Sequence, residues 1–238
     1  MSEVADDGID VRRDGAVVSV RLDRPDARNA LTTAMLDALR RELRAIADDT
    51  TARVVVLSGA GTTFCAGADL REIPPDAEPN LGVRRVRLVT DVLDALRRLE
   101  QPTIAAVHGA AIGAGWGLAL MCDACLVTPD ATFALPELPK GFRLPSAIVR
   151  RLVEVAGPVR AADLVYSGRP CDATEAVAIG AAARVLASDE LHATASAMAT
   201  TLAGVRRDRV AAARSALAAA RHPATEFAWI DEKHQKEG

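Results

Sequence analysis

The chain has 238 residues, 50% apolar and 26% charged, with a formal net charge of −3, the balance of one large globular domain or of one domain with a small appendage. That charge excludes a general attraction to nucleic acid or anionic membranes, and no apolar run reaches the length of a membrane-spanning helix without a charge. Aromatic residues make up only 3%, so the core must be built from Ala, Val, Leu and Ile.

The acidic N-terminal stretch MSEVADDGIDV has no apolar h-region, so no signal peptide is expected. Residues 15–23 (GAVVSVRLD) alternate apolar and polar and predict a half-exposed strand. Pro25 to Asn29 predict a turn. Thr32 then N-caps a helix, with Leu31 and Leu36 as a hydrophobic staple and Leu36, Leu39, Leu43 and Ile46 on its buried face. Residues 53–59 (RVVVLSG) and 103–109 (TIAAVHG) are continuous aliphatic runs, as in strands buried on both faces. Residues 124–128 suggest another short strand, and 84–99 carry Val86, Val89, Leu93 and Leu96 at helical spacing. A helix is also expected to begin near Asp69. The Pro-rich stretches 74–82 and 135–145 predict loops, and Asp172 with Glu175 forms a capping-box pattern. Alanine-rich helices are expected over 188–203 and 205–221, giving a core of 1–187 and a C-terminal helical region of 188–238. The order is α/β. Cys65, Cys122, Cys125 and Cys171, in a chain with no export signal, read as buried thiols in a reducing, cytoplasmic compartment. Cys122-x-x-Cys125 lacks a second pair, so no metal site is expected.

The stretch HGAAIGAGWGLAL (108–120) has glycines at 109, 113, 115 and 117, residues that cost about 1 kcal/mol each inside a helix. Either something approaches the backbone closely there, or the backbone takes a shape that only glycine allows. A dinucleotide fingerprint fits poorly, because Gly113-x-Gly115-x-Gly117 is followed by Leu118 and lies far from the N-terminus. No Gly-Lys-Ser/Thr and no GxSxG occurs. A second small-residue turn, GTTFCAGADL (61–70), comes after the other buried strand. Two such turns offer two converging backbone N–H groups, the construction of an oxyanion hole.

RPDARNAL (24–31), GTTFCAGADLREI (61–73), AAVHGAAIGAGWGLALMCDACLV (105–127) and ATFALPEL (131–138) occur in this order. Together they resemble the crotonase family, the enoyl-CoA hydratases and isomerases, and 157–186 resembles that family's helical stretch. The resemblance implies a crotonase-like spiral of strand–strand–helix repeats with a C-terminal helical region, assembled as a homotrimer or homohexamer. It implies an acyl-CoA substrate and no separate cofactor, coenzyme A being part of the substrate. The oxyanion donors fall on the amides of Ala68 and Ala114. One catalytic glutamate falls on Glu137; the other falls on Gly117, which has no side chain. The resemblance therefore implies a lone acid/base, suited to moving a double bond or hydrating an activated enoyl-CoA. Ala66, Asp69, Leu70, Gly113 and Gly117 surround the acyl-CoA site, and Arg28 and Arg71 face the coenzyme A phosphates. Glu72 is a further candidate for the acyl side, while Asp123 and His108 read as structural hydrogen-bonders. A non-catalytic acyl-CoA-binding subunit, and thioester hydrolysis or decarboxylation on the same scaffold, stay open at this point. The ending DEKHQKEG comes early for the family, so part of its last helical element is expected to be missing.

Overall fold

A computed structural model describes residues 7–72 and 79–221. Six strands form the main sheet: β1 (Ile9–Asp14), β2 (Val17–Leu22), β3 (Val54–Gly59), β4 (Thr103–Val107), β6 (Ala124–Val127) and β9 (Arg184–Val185), in the order β1-β2-β3-β4-β6-β9. Every neighbouring pair is parallel except the β1–β2 hairpin. Strands β5 (Ala110–Ile112), β7 (Thr132–Ala134) and β8 (Cys171–Asp172) form a second, three-stranded sheet.

The helices are α1 (Thr33–Asp48), α2 (Pro79–Arg98), α3 (Ala114–Met121), α4 (Ser146–Ala156), α5 (Pro158–Ser167), α6 (Ala173–Ala178), α7 (Leu191–Ala203) and α8 (Arg207–Arg221). The start of α1 obeys its local chemistry. Thr32 Oγ1 accepts from the Met35 amide at 3.1 Å, and the staple residues Leu31 and Leu36 are both buried. At α6, Asp172 Oδ1 accepts from the Glu175 amide at 2.8 Å, but Glu175 turns away to Arg169, so only half of the capping box forms.

Period-two alternation sends each parallel strand's side chains to two different cores. Val18, Val20, Leu22, Val55, Leu57, Ala105, Val107 and Val127 pack with α1, α2 and α3. Val54, Val56, Ile104, Ala106 and Leu126 pack under Leu191, Ala195 and Ala199 of α7. Both faces are covered, which is why β3 and β4 read as unbroken aliphatic runs.

Three expectations are corrected. Strand β1 is absent from the sequence reading, because Asp10, Arg12 and Arg13 hide its alternation; Asp10 is nonetheless buried, paired with Arg12 and Arg21. The composition of 74–82 predicts a loop, yet α2 already begins at Pro79, a residue suited to a first helical turn; the remainder, 74–78, lies outside the described residues. The helix expected near Asp69 is a single 3₁₀ turn, Leu70–Glu72. Within the described residues α7 groups with the first compact unit, and a second unit begins at Arg206 with α8. The reason is the apolar stripe of α7, which covers the second face of the sheet.

The turn at 24–31 is held by one buried side chain that sequence reading passes over. Asn29 sits at φ 53 and donates through Nδ2 to the carbonyls of Ala60, Thr63 and Phe64, while its Oδ1 accepts from the Arg24 amide at 2.9 Å. Asn29→Ala strands those groups, and at about 1 kcal/mol or more per buried group the unfolding free energy in urea should fall by about 3 kcal/mol. A loss below about 1 kcal/mol would show that the turn holds without this side chain.

Candidate active site

Three irregular segments meet beside the second sheet, and main-chain pairing joins them. The Leu31 amide donates to Gly67 O at 2.8 Å and the Asp69 amide to Leu31 O at 2.9 Å. On the other side, Cys65 N donates to Ala110 O at 3.0 Å and Ile112 N to Cys65 O at 2.9 Å. The segments lie too close for ordinary side chains. A Cβ on Gly67 would come within 2.6 Å of Ile112 O, and one on Gly115 within 2.5 Å of Cys65 O. The 65–68 turn and the head of α3 are thereby brought together, the Gly67 Cβ position lying 3.9 Å from the Ala114 amide nitrogen.

Within this ladder several amides are left over, those of Gly115 and Trp116 in the first turn of α3 among them. Ala68 N and Ala114 N donate to no protein acceptor among the described residues. Ala114 is the first residue of α3, where an orphan N–H and a partial positive charge are intrinsic to the helix end. Its N-cap Gly113, at φ 56, has its own amide tied to Ala134 O at 2.8 Å. Ala66 and Ala68 are half-buried, and Leu70 is exposed.

Glu137 belongs to the turn after β7. Lys140 N and Phe142 N donate to its carbonyl oxygen, at 3.2 and 2.8 Å. Its carboxylate lies against Gly113, so close that a Cβ there would collide with Glu137 Oε1. Oε2 is buried and has no partner. Burial pushes the Glu137 pKa upward, only partly offset by its own backbone amide and by Lys140.

The other carboxylates brought near by the sequence are occupied. Asp69 accepts from Arg71 Nε at 2.9 Å and Nη2 at 2.7 Å and from Arg24 Nη1 at 3.0 Å. Its hydrogen bonds from Arg71 and Arg24 hold it well below the usual carboxylate range. Glu72, a candidate for the acyl side, instead accepts from Thr33 N and Oγ1 at the head of α1 and pairs with the buried Arg85. Arg71 is 70% exposed with its fork on Asp69. Arg28 is exposed at φ 52 and makes no side-chain bond among the described residues. Asp123 accepts from Thr103 N and Oγ1, and His108 Nε2 meets Gly61 O at 2.9 Å, both structural roles.

Gly117 requires a correction. The sequence shows only that the position of the second acid has no side chain. A Cβ there would instead meet Ile148 Cδ1 at 2.7 Å and Leu93 Cδ1 at 3.4 Å, and Ile148 is fully buried. Gly113 and Gly117 are four residues apart, one turn along the same face of α3. Glu137 therefore covers one glycine and Ile148 of α4 the other. The residues that clamp the site, Arg24, Asn29, Arg85 and Ile148, do not stand out in the sequence. RPDARNAL carries a signal for the first two, in an Asn placed where a left-handed turn is wanted; Ile148 carries none.

The four cysteines are buried free thiols, with Cys65, Cys125 and Cys171 pushed up to about 12 by burial. Among the described residues no cluster of His, Cys, Asp and Glu is arranged to hold a metal ion, and no helix is long and apolar enough to cross a membrane.

Residues 12–235 match the enoyl-CoA hydratase/isomerase family. The chain is 38% identical over 179 residues to the 2,3-dehydroadipyl-CoA hydratase of Escherichia coli (strain K12), covering 75% of this chain and 69% of that protein. It resembles a monofunctional enoyl-CoA isomerase from M. smegmatis (TM-score 0.76, 30% identity, 97% of this chain and 99% of that one). It also resembles a Thermobifida fusca YX protein solved in complex with CoA (TM-score 0.81, 31% identity, 96% and 91%).

The stability of the folded state carries a signature of Glu137. Because its folded pKa lies above the ordinary value of 4.5, its contribution is present below that value and is lost as pH rises through the raised one. Glu137→Gln removes this titration without changing shape. The variant should match wild type in urea midpoint at pH below 4.5 and exceed it at neutral pH; identical midpoints at both would refute the raised pKa.

Proposed function

The chain belongs to the enoyl-CoA hydratase/isomerase family, and from that premise we propose that it works on an acyl-CoA thioester through an enolate, with Glu137 as its single acid–base group. Family membership makes it an enzyme acting on acyl-CoA substrates. The observation that carries the finer reading is the pairing on α3: a carboxylate over Gly113, beside two unpaired amides, and an isoleucine over Gly117.

In this mechanism the thioester oxygen accepts from Ala68 N–H and Ala114 N–H. The Glu137 carboxylate takes a proton from C2, and the electron pair of the C2–H bond moves into the enolate. The negative charge forms on the oxygen, where the two amides and the head of α3 oppose it in a site that need not reorganise. With a 3-enoyl-CoA, protonated Glu137 returns the proton to C4 and the double bond moves into conjugation. A raised pKa suits a group that must both take and give a proton. Hydration needs in addition an oriented water, and the second carboxylate that would hold it has no place while Ile148 fills the space over Gly117. Arg28, free of partners among the described residues and next to the 65–68 turn through the Ala66 N to Arg28 O bond of 3.0 Å, is the better of the two candidate phosphate contacts. Arg71 would have to share its guanidinium with Asp69. The relative solved with CoA supports coenzyme A as the handle.

We further propose a homotrimer or homohexamer, located in the cytoplasm. Val159 and Tyr166 on α5 are 80% and 74% exposed, and their seven-residue spacing puts them on one helix face. Sedimentation at micromolar protein should show three or six copies; a monomer would contradict it.

Two outcomes test the chemistry. Glu137→Gln should keep acyl-CoA affinity within a few-fold while slowing solvent-deuterium exchange at C2 by about 10²–10⁴-fold, and wild-type exchange should rise with pH through a value above 4.5. Wild type should also shift the double bond of a 3-enoyl-CoA faster than it hydrates crotonyl-CoA. Gly117→Glu should add little hydration alone and more with Ile148→Ala, which makes room for it. Wild-type hydration of crotonyl-CoA at about 10²–10³ per second would overturn the single-acid mechanism.

A further inference from the structure

Leu31 does more than fill the core beside the site. Its amide donates to Gly67 O at 2.8 Å and its carbonyl accepts from the Asp69 amide at 2.9 Å, so both peptides that flank Ala68 are bonded to this one residue. The 67–68 peptide is trans, and in a planar trans peptide the C=O and the N–H point in opposite directions. With Gly67 O turned toward Leu31, the Ala68 N–H must point away from it. The aim of this donor is therefore set by where Leu31 stands.

A side chain from a distant element fixes Leu31 in turn. Arg85 of α2 is buried, and its Nη2 donates to the same Leu31 O that receives the Asp69 amide. Its Nη1 donates to Glu72 Oε2 and lies 3.4 Å from Thr33 Oγ1. That Glu72 oxygen also accepts from Thr33 N at 2.8 Å and Thr33 Oγ1 at 2.9 Å. One arm of the fork thus holds the 31–33 segment and the other holds the end of the turn that carries Ala68. The remaining nitrogen, Nε, is buried without a partner, so among the described residues these contacts are what offset the burial of the charge. A planar guanidinium keeps two acceptors at a set separation, which a single ammonium cannot do. Arg24 acts further out, its Nη1 on the Asp69 carboxylate and on Ala30 O.

We propose that Arg85 is a positioning residue for the reaction, holding Leu31 and Glu72 so that the Ala68 N–H stays aimed at the thioester oxygen. The proposal rests on the oxyanion reading given above and requires no contact between Arg85 and the substrate. Without the fork, Leu31 O keeps the Asp69 amide and Glu72 keeps Thr33, so no acceptor is stranded and the two segments stay paired. What is lost is their anchor on α2, and the pair is then free to turn as a unit. A hydrogen bond weakens steeply as it leaves its line, and a donor aimed at an oxygen matters most when that oxygen becomes an anion. Arg85 therefore acts on the charge that forms in the transition state more than on the ground-state complex.

Infrared spectroscopy of the full-length protein with butyryl-CoA, isotopically labelled at the thioester carbonyl, tests this, because stronger hydrogen bonds to the oxygen lower the C=O stretch. Wild type should lower the stretch relative to free butyryl-CoA in water. Arg85→Met should lose about half of that lowering, one donor of two, while binding butyryl-CoA within a few-fold of wild type. Solvent-deuterium exchange at C2 should slow by about tenfold, part of the factor of about 10²–10³ that a whole oxyanion donor supplies. Arg85→Lys keeps the charge without the fork and should lie between Arg85→Met and wild type; if Arg85→Met fails to fold, Arg85→Lys carries the test. A full wild-type lowering in the variant, with only the urea midpoint reduced, would make Arg85 merely structural and overturn its positioning role while the oxyanion reading stands. A wild type that does not lower the stretch would overturn that reading and this proposal with it.

Discussion

Two stretches of backbone lie against each other where side chains do not fit, and the site depends on that contact. Residues 65–68 and 110–115 approach so closely that a Cβ on Gly67 or Gly115 would collide with a carbonyl oxygen. Pairing at this distance consumes nearly every main-chain donor in the neighbourhood: Leu31, Cys65, Asp69, Ile112 and Gly113 all give their hydrogens to carbonyls. Among the exceptions, Ala68 and Ala114 are consequences of the same geometry. One comes after a glycine in the left-handed region, at φ 88, and the other opens a helix whose preceding turn cannot satisfy it. A donor pair is built here without committing a side chain, so the site can be preorganised by the fold itself.

The two carboxylates nearest that contact show how environment divides roles between like groups. Asp69 is buried between two arginines, so its charge is neutralised and its pKa is driven down. It braces the turn and has no proton to offer. Glu137 is buried against a glycine, with no cation bonded to it and one oxygen unpartnered, so its pKa rises. An unpaired buried carboxylate is a cost to folding, and proteins retain such groups where reactivity requires them. Local residue patterns favour neither assignment, since both residues come after small or proline-rich turns, and in the sequence only the family resemblance singles out Glu137. Partners decide it, and these come from positions as remote as Arg24.

The legibility of the chain tracks the range of the forces involved. Local signals are reliable: Thr32 capping α1, aliphatic runs for β3 and β4, and proline-dense irregularity around Glu137 all depend on residues within one turn of each other. The family resemblance supplies the topology that local patterns leave open, since strand–helix alternation also fits a doubly wound sheet. Long-range packing is not legible. Gly117 as a residue says only that a side chain is missing; that Ile148, thirty-one positions later, fills the space is a fact of how α4 lies on α3. Charge misleads in the same way. Glu72 looks available in the sequence because its partner Arg85 sits on α2, and β1 is hidden because Asp10 can be buried only once Arg21 of the next strand is beside it.

The main sheet uses one alternation for two purposes. On the side of α1 to α3, the inward residues stay apolar to the ends of the strands and the chemistry is carried by the loops beyond. On the side of α7, the same periodicity runs through Val54, Val56 and Ser58, and through Ile104, Ala106 and His108, changing from apolar to polar where the apolar stripe of α7 starts at Leu191. If the polar ends served only to face water, their side-chain atoms would be solvated, and Ser58 fits that account. Arg21 Nε, His108 Nδ1 and Thr128 Oγ1 do not, since each is shut off from bulk solvent without a partner.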